Sequence, residues 1–164
     1  MEFNQQQLGA IQKYFLVRAE TLSVAESVTA GWLQAAISDS PEAAKFFQGG
    51  ITTYNLGQKS RHLKINPIHA FGCNSVSATV ALEMANGAAQ LFSSDWAIGI
   101  TGYASPVPES DGQLYAFYAI TYQQNLVMSN KLEPRMGSST DVQLGYVNTI
   151  VKTFSDYLSG LMIQ

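Results

Sequence analysis

At 164 residues the chain has the length of one domain, and its 46% hydrophobic content is ample for a core. Charged residues make up only 13%, about half the usual share of roughly 25%, and the net charge is −3 with no basic cluster. That balance excludes a nucleic-acid-binding surface, and the single cysteine, Cys73, excludes an internal disulfide framework and, beside His62 and His69, a Cys/His zinc site.

Leu8, Ile11, Phe15 and Leu16 follow helical spacing and predict a first helix near 5–20. "TLSVAE" (21–26) is rich in strand formers, and "GWLQAAIS" (31–38) returns to helical spacing until "SDSP" stops it. "GGITTYN" (49–55) reads as a strand entered through two glycines, and "GQKSRHL" (57–63) as the following helix. Pro67 opens a short turn. Ser77 is placed to cap "ATVALEMANGAAQLF" (78–92), and "WAIGIT" (96–101) has the apolar run of a strand buried on both faces. "QLYAFYAITY" and "LVMSNKLE", joined by "QQN", predict a hairpin. Thr140 and Gln143 stand at capping-box spacing before a helix through Leu144, Val147, Val151, Phe154 and Leu158. Strands alternating with helices and then a hairpin predict one three-layer α/β/α sandwich over a mixed sheet, spanning 1–164. The N-terminus lacks a signal pattern and no run is long enough to span a bilayer, so a cytoplasmic protein is expected. The low charge content is a hint of a homo-oligomer.

Ligands of open α/β sheets bind beyond the carboxyl ends of strands, so three loops carry the candidate chemistry: "AESVTAG", "TYNLGQK" and "TGYASPVPESDG". In the first, the small residues Ala30 and Gly31 leave helix-start amides open to an anion, and Ser27 is a nucleophile if a base takes its proton. Read blandly, Ser27 and Thr29 only cap the helix. In the second, Lys59 lies one turn beyond Tyr54. It is a base if burial lowers its pKa, and otherwise a solvated surface lysine. In the third, Thr101 and Gly102 emerge from the buried strand, with a turn reading equally open.

Taken together the loops resemble the CinA C-terminal domain family. "SVAESVTAGWLQAAISDSP" is similar to its strand–AES–helix signature, and "FQGGITTYNLGQKSRHLKI" to its GG–strand–Tyr–x4–Lys segment. "NSVSATVALEMANGA" and "WAIGITGYASP" follow in the family's order. The resemblance implies a CinA C-terminal-like fold and a nicotinamide-nucleotide amidase, hydrolysing nicotinamide mononucleotide to nicotinic acid mononucleotide and ammonia without metal or cofactor. It implies Ser27 as nucleophile, Lys59 as base, and Tyr54 and Thr101 as orienting residues. It further implies that Glu26, Thr29, Ala30, Gly31 and Gly102 surround the substrate. Several positions depart from the pattern: Val28, Ala30 in place of a glycine, Ser105 in place of a glycine, and "GSSTDVQ" without an arginine. These departures keep open the alternative of a non-catalytic nucleotide-binding or structural oligomeric module.

Overall fold

The structure, a computed structural model, describes residues 3–134 and 136–163. Five strands form one sheet in the order β2-β1-β3-β4-β5. They are β1 (Leu22–Glu26), β2 (Phe47–Thr52), β3 (Trp96–Gly102), β4 (Ala116–Tyr122) and β5 (Asn125–Leu132). β1 runs parallel to both β2 and β3, while β4 and β5 are antiparallel additions on the β3 side. The mixed three-layer sandwich expected from the sequence is the fold.

Alternation along the central strands divides the core. Leu22 and Val24 of β1 and Trp96, Ile98 and Ile100 of β3 point to one face, under α1 (Gln5–Arg18), α2 (Trp32–Ser38) and α6 (Ser139–Ile163). Ala25 and Ala97 point to the other, under α3 (Leu56–Leu63), α4 (Pro67–Gly72) and α5 (Ala78–Phe92). The first face is aromatic: Phe15 stacks on Phe46 at 5.0 Å, and Trp96 meets Phe154 at 5.6 Å. The second is thin, because α5 offers alanines. Gly99 of β3 permits the close approach: a Cβ there would lie 2.2 Å from the Ala81 carbonyl oxygen.

Four local expectations change. Pro67 starts a helical turn, α4, with Asn66 accepting from the Ile68 and His69 amides. The hairpin loop is two residues, Gln123 and Gln124, both at positive φ (47° and 62°), which is the type I′ geometry that matches strand twist. α6 starts one residue before Thr140. Its reciprocal cap is Ser138 with Asp141: Ser138 N donates to Asp141 Oδ2 at 3.0 Å and Asp141 N to Ser138 Oγ at 3.2 Å. Gln143, freed from that task, reaches elsewhere. The last change concerns the start of α2 and belongs to the site.

Candidate active site

Parallel pairing sets the site. Glu26 and Thr52 are register partners at the carboxyl ends of β1 and β2, and Thr53 N donates to the Glu26 carbonyl at 2.8 Å. The next residues, Ser27 and Thr53, therefore leave the sheet side by side. α3 begins just beyond, capped by Asn55, whose Oδ1 accepts from Gln58 N. Its inward face carries Lys59 and Leu63, four residues apart.

That geometry brings Lys59 Nζ to 2.8 Å from Ser27 Oγ and 3.0 Å from the Thr53 carbonyl oxygen, both as donor. Lys59 is 2% exposed and Ser27 7%. No carboxylate forms an ion pair with Lys59 among the described residues, and burial pushes its pKa down to about 8. A neutral amine that gives one N–H to Thr53 keeps a lone pair to accept from the Ser27 hydroxyl. This is the arrangement a nucleophile–base pair requires.

Ser27, Tyr54, Lys59, Thr101 and Gly102 all line one cavity of about 860 Å³ at the carboxyl edge of the sheet. No hydrogen bond joins Thr101 to Lys59 among the described residues. Thr101 Oγ1 donates to the Ser75 carbonyl at 2.7 Å, so it fastens the turn between α4 and α5 against β3. Tyr54 is 78% exposed and stands at the mouth.

Four expected contacts fall outside the cavity lining: Glu26, Thr29, Ala30 and Gly31. Glu26 explains why. Its fully buried carboxylate accepts from the amides of Gly31 (3.2 Å), Leu33 (2.9 Å) and Gln34 (2.7 Å), so the start of α2 is filled from within the chain. Neither the anion cradle at Ala30 and Gly31 nor capping by Ser27 and Thr29 is realised; a strand-end carboxylate does the capping. The Trp32 amide takes the Thr29 carbonyl at 2.9 Å. Ala30 and Gly31 sit at φ 51° and 105°, the turn that folds Glu26 back over the helix.

The cavity also gathers residues that loop-by-loop reading missed. Asn74 and Ser75, both left-handed at φ 50° and 59°, line it, and Asn74 Nδ2 donates to Tyr103 OH at 3.0 Å. Ser105, Ser139 and Gln143 form the wall from the other side. Gln143 Nε2 donates to the Val28 carbonyl at 2.8 Å and so braces the loop that carries Ser27. The polar "CNS" before α5 and the "GSSTDVQ" segment were the available sequence signals, but only the fold puts them against Ser27. His69 lies on α4 and His62 on α3. Among the described residues no group of three or more His, Cys, Asp or Glu could hold a metal, and no helix is long and apolar enough to cross a membrane.

The chain has relatives of the same kind. It is 40% identical over 129 residues to a CinA-like protein of Picosynechococcus sp., a match covering 77% of this chain and 30% of that one. It is 32% identical over 143 residues to a competence-damage inducible protein of Streptococcus thermophilus, covering 86% and 33%. The chain thus spans about a third of the length of these relatives. Among solved structures, competence damage-inducible protein A of Klebsiella pneumoniae superposes with a TM-score of 0.88 at 23% identity, over 96% of this chain and 98% of that one. The competence/damage inducible protein CihA of Agrobacterium tumefaciens gives 0.87 at 21%, over 97% and 99%; at such identities the likeness is one of fold. With residues 4–147 matching the model of the CinA C-terminal domain, the chain belongs to that family.

Proposed function

We propose that the protein is a carboxamide hydrolase in which Ser27 is the nucleophile and Lys59 its base. The reading is carried by one observation, the buried 2.8 Å contact between Ser27 Oγ and Lys59 Nζ. Neutral Lys59 takes the Ser27 proton as Oγ attacks the amide carbon. The tetrahedral adduct collapses as Lys59 returns that proton to the leaving nitrogen, releasing ammonia and leaving an acyl ester on Ser27. Water, deprotonated by the same amine, then hydrolyses the ester. Val28 follows the nucleophile directly, the position from which acyl-transfer enzymes draw an oxyanion donor. Gln143 braces its carbonyl, and Thr101 holds the facing turn.

The family resemblance makes nicotinamide mononucleotide the reference substrate, with nicotinic acid mononucleotide as product. The decisive assay is ammonia release from nicotinamide mononucleotide and related carboxamides by the wild type, Ser27→Ala and Lys59→Met. The reading predicts turnover in the wild type and a drop of at least about a thousandfold in each variant. Equal rates in all three would remove both residues from the chemistry.

A further inference from the structure

We infer that Asn74 and Tyr103 form a sugar subsite of this cavity, reading a vicinal diol on the molecule that presents its carboxamide to Ser27. The subsite rests on the hydrolase reading and narrows its substrate to a glycosylated amide. Neither residue is among those the family resemblance assigns to the site. Both line the cavity, and Asn74 Nδ2 lies 3.0 Å from Tyr103 OH. Among the described residues neither side chain has a further hydrogen-bond partner. A primary amide carries two donors and an acceptor oxygen, and a phenol can both donate and accept. With one N–H given to the phenol oxygen, the Tyr103 proton and Asn74 Oδ1 are left for a ligand. Turned the other way, the pair would leave an Asn74 N–H and a Tyr103 lone pair. Either way the cavity is offered one donor beside one acceptor.

That combination selects the ligand's chemistry. A dianionic phosphate or a carboxylate only accepts and an ammonium only donates, so each engages half of the pair. Two neighbouring hydroxyls engage both halves at once, one accepting from the donor and the other donating to the acceptor. A carboxamide offers the same two functions, but in the hydrolase reading it is taken up at Ser27. The subsite is also held in place before any ligand arrives. The Tyr103 amide donates to the Tyr115 carbonyl at 2.8 Å, and Tyr146 OH donates to the Tyr103 carbonyl at 2.8 Å. The Tyr103 ring packs edge-on against Tyr115 at 5.3 Å. Asn74 sits at φ 50°, a left-handed turn that asparagine tolerates better than most residues, and Thr101 fastens that turn through the Ser75 carbonyl. Burial, above all, raises the Tyr103 pKa, so the phenol keeps its proton at neutral pH. Side chains fixed this way lose little freedom on binding, and a site built to bond a hydroxyl rejects the analogue that lacks it.

The test is calorimetry on Ser27→Ala, which removes turnover, with nicotinamide mononucleotide, its 2′-deoxy analogue and nicotinamide. Tyr103→Phe and Asn74→Gly are added to it separately and together; the first keeps the ring and the second keeps the left-handed turn. The nucleotide should bind about tenfold more tightly than the deoxy analogue. Each single substitution should lower that ratio, because each side chain holds the other in place, and the double substitution should bring it to about one. Nicotinamide, which has no sugar, should bind all four proteins equally. A ratio near one in Ser27→Ala alone, a ratio that survives the double substitution, an equal loss for nicotinamide, or binding of none of the three compounds would overturn the sugar subsite. Ammonia release by the chain with Ser27 intact is followed in parallel. Its absence, with the tenfold preference and its loss in the variants retained, would sink the hydrolase reading and leave the subsite standing. Ammonia released from both nucleotides at equal kcat/KM would do the reverse.

Discussion

Lys59 is a buried amine in a place that stability alone would give to a methionine. Burial lowers its pKa from 10.5 to about 8, so the folded state gives up this proton more readily than the unfolded chain. Below about pH 8 both states hold the proton and the fold bears the full cost of burying a charge. Between about 8 and 10.5 the unfolded state binds more protons, so this group makes stability rise with pH. Denaturant melts of the wild type and Lys59→Met should therefore show the wild type gaining on the variant by on the order of 3 kcal/mol across that window. A constant difference would mean that Lys59 is not desolvated. The same titration predicts that kcat/KM of the wild type rises with pH and levels off above about 8, since only the neutral amine can accept the Ser27 proton.

At the scale of the element, the start of α2 depends on one side chain. Glu26→Ala would strand three buried amide donors, and thermal melts should show a loss of about 3 kcal/mol. An unchanged melting temperature would show that the amides find other partners. The β4–β5 loop offers the opposite case, because Gln123 and Gln124 hold left-handed conformations that Asn-Gly adopts at less cost. Replacing the pair by Asn-Gly should raise stability by about 0.5–1 kcal/mol, a rise of a few degrees in Tm. The helices and strands themselves were legible in the sequence, since period and turn residues set them within a few positions. Their polar ends were not. "GSSTDVQ" contains two pairs at capping spacing, Ser138–Asp141 and Thr140–Gln143, and only tertiary packing selects the first and sends Gln143 to Val28. "AES" likewise gave no sign that its glutamate would fold back over the helix while its serine faced the cavity.

Across the whole molecule, the site exists because the parallel part of the sheet ends its strands on one edge. Ser27 and Lys59 are 32 residues apart, and Ser27 and Thr101 are farther still, yet three strand ends bring them to one cavity. The order of those strands is a long-range property that local pattern does not encode. Hence the loops were visible as candidates while the Asn74–Ser75 turn, contributed by a helix junction, was not. The arrangement is held from behind by α5 lying directly on β3. Gly99→Ala would place a methyl against the backbone of Ala81 and Ala85 and push the helix outward. A loss of about 3 kcal/mol is expected in chemical denaturation, with cooperativity reduced because both core halves share that strand. Full tolerance of the methyl would show that the second layer is loosely packed.

The most direct measurement is the titration of the Lys59 side chain by NMR of the 13Cε-labelled lysines, with Lys59→Met identifying the resonance. A midpoint near 8, moving when Ser27 is replaced by Ala, is what a buried amine poised against the serine predicts. A midpoint at the ordinary lysine value, unaffected by Ser27→Ala, would contradict it.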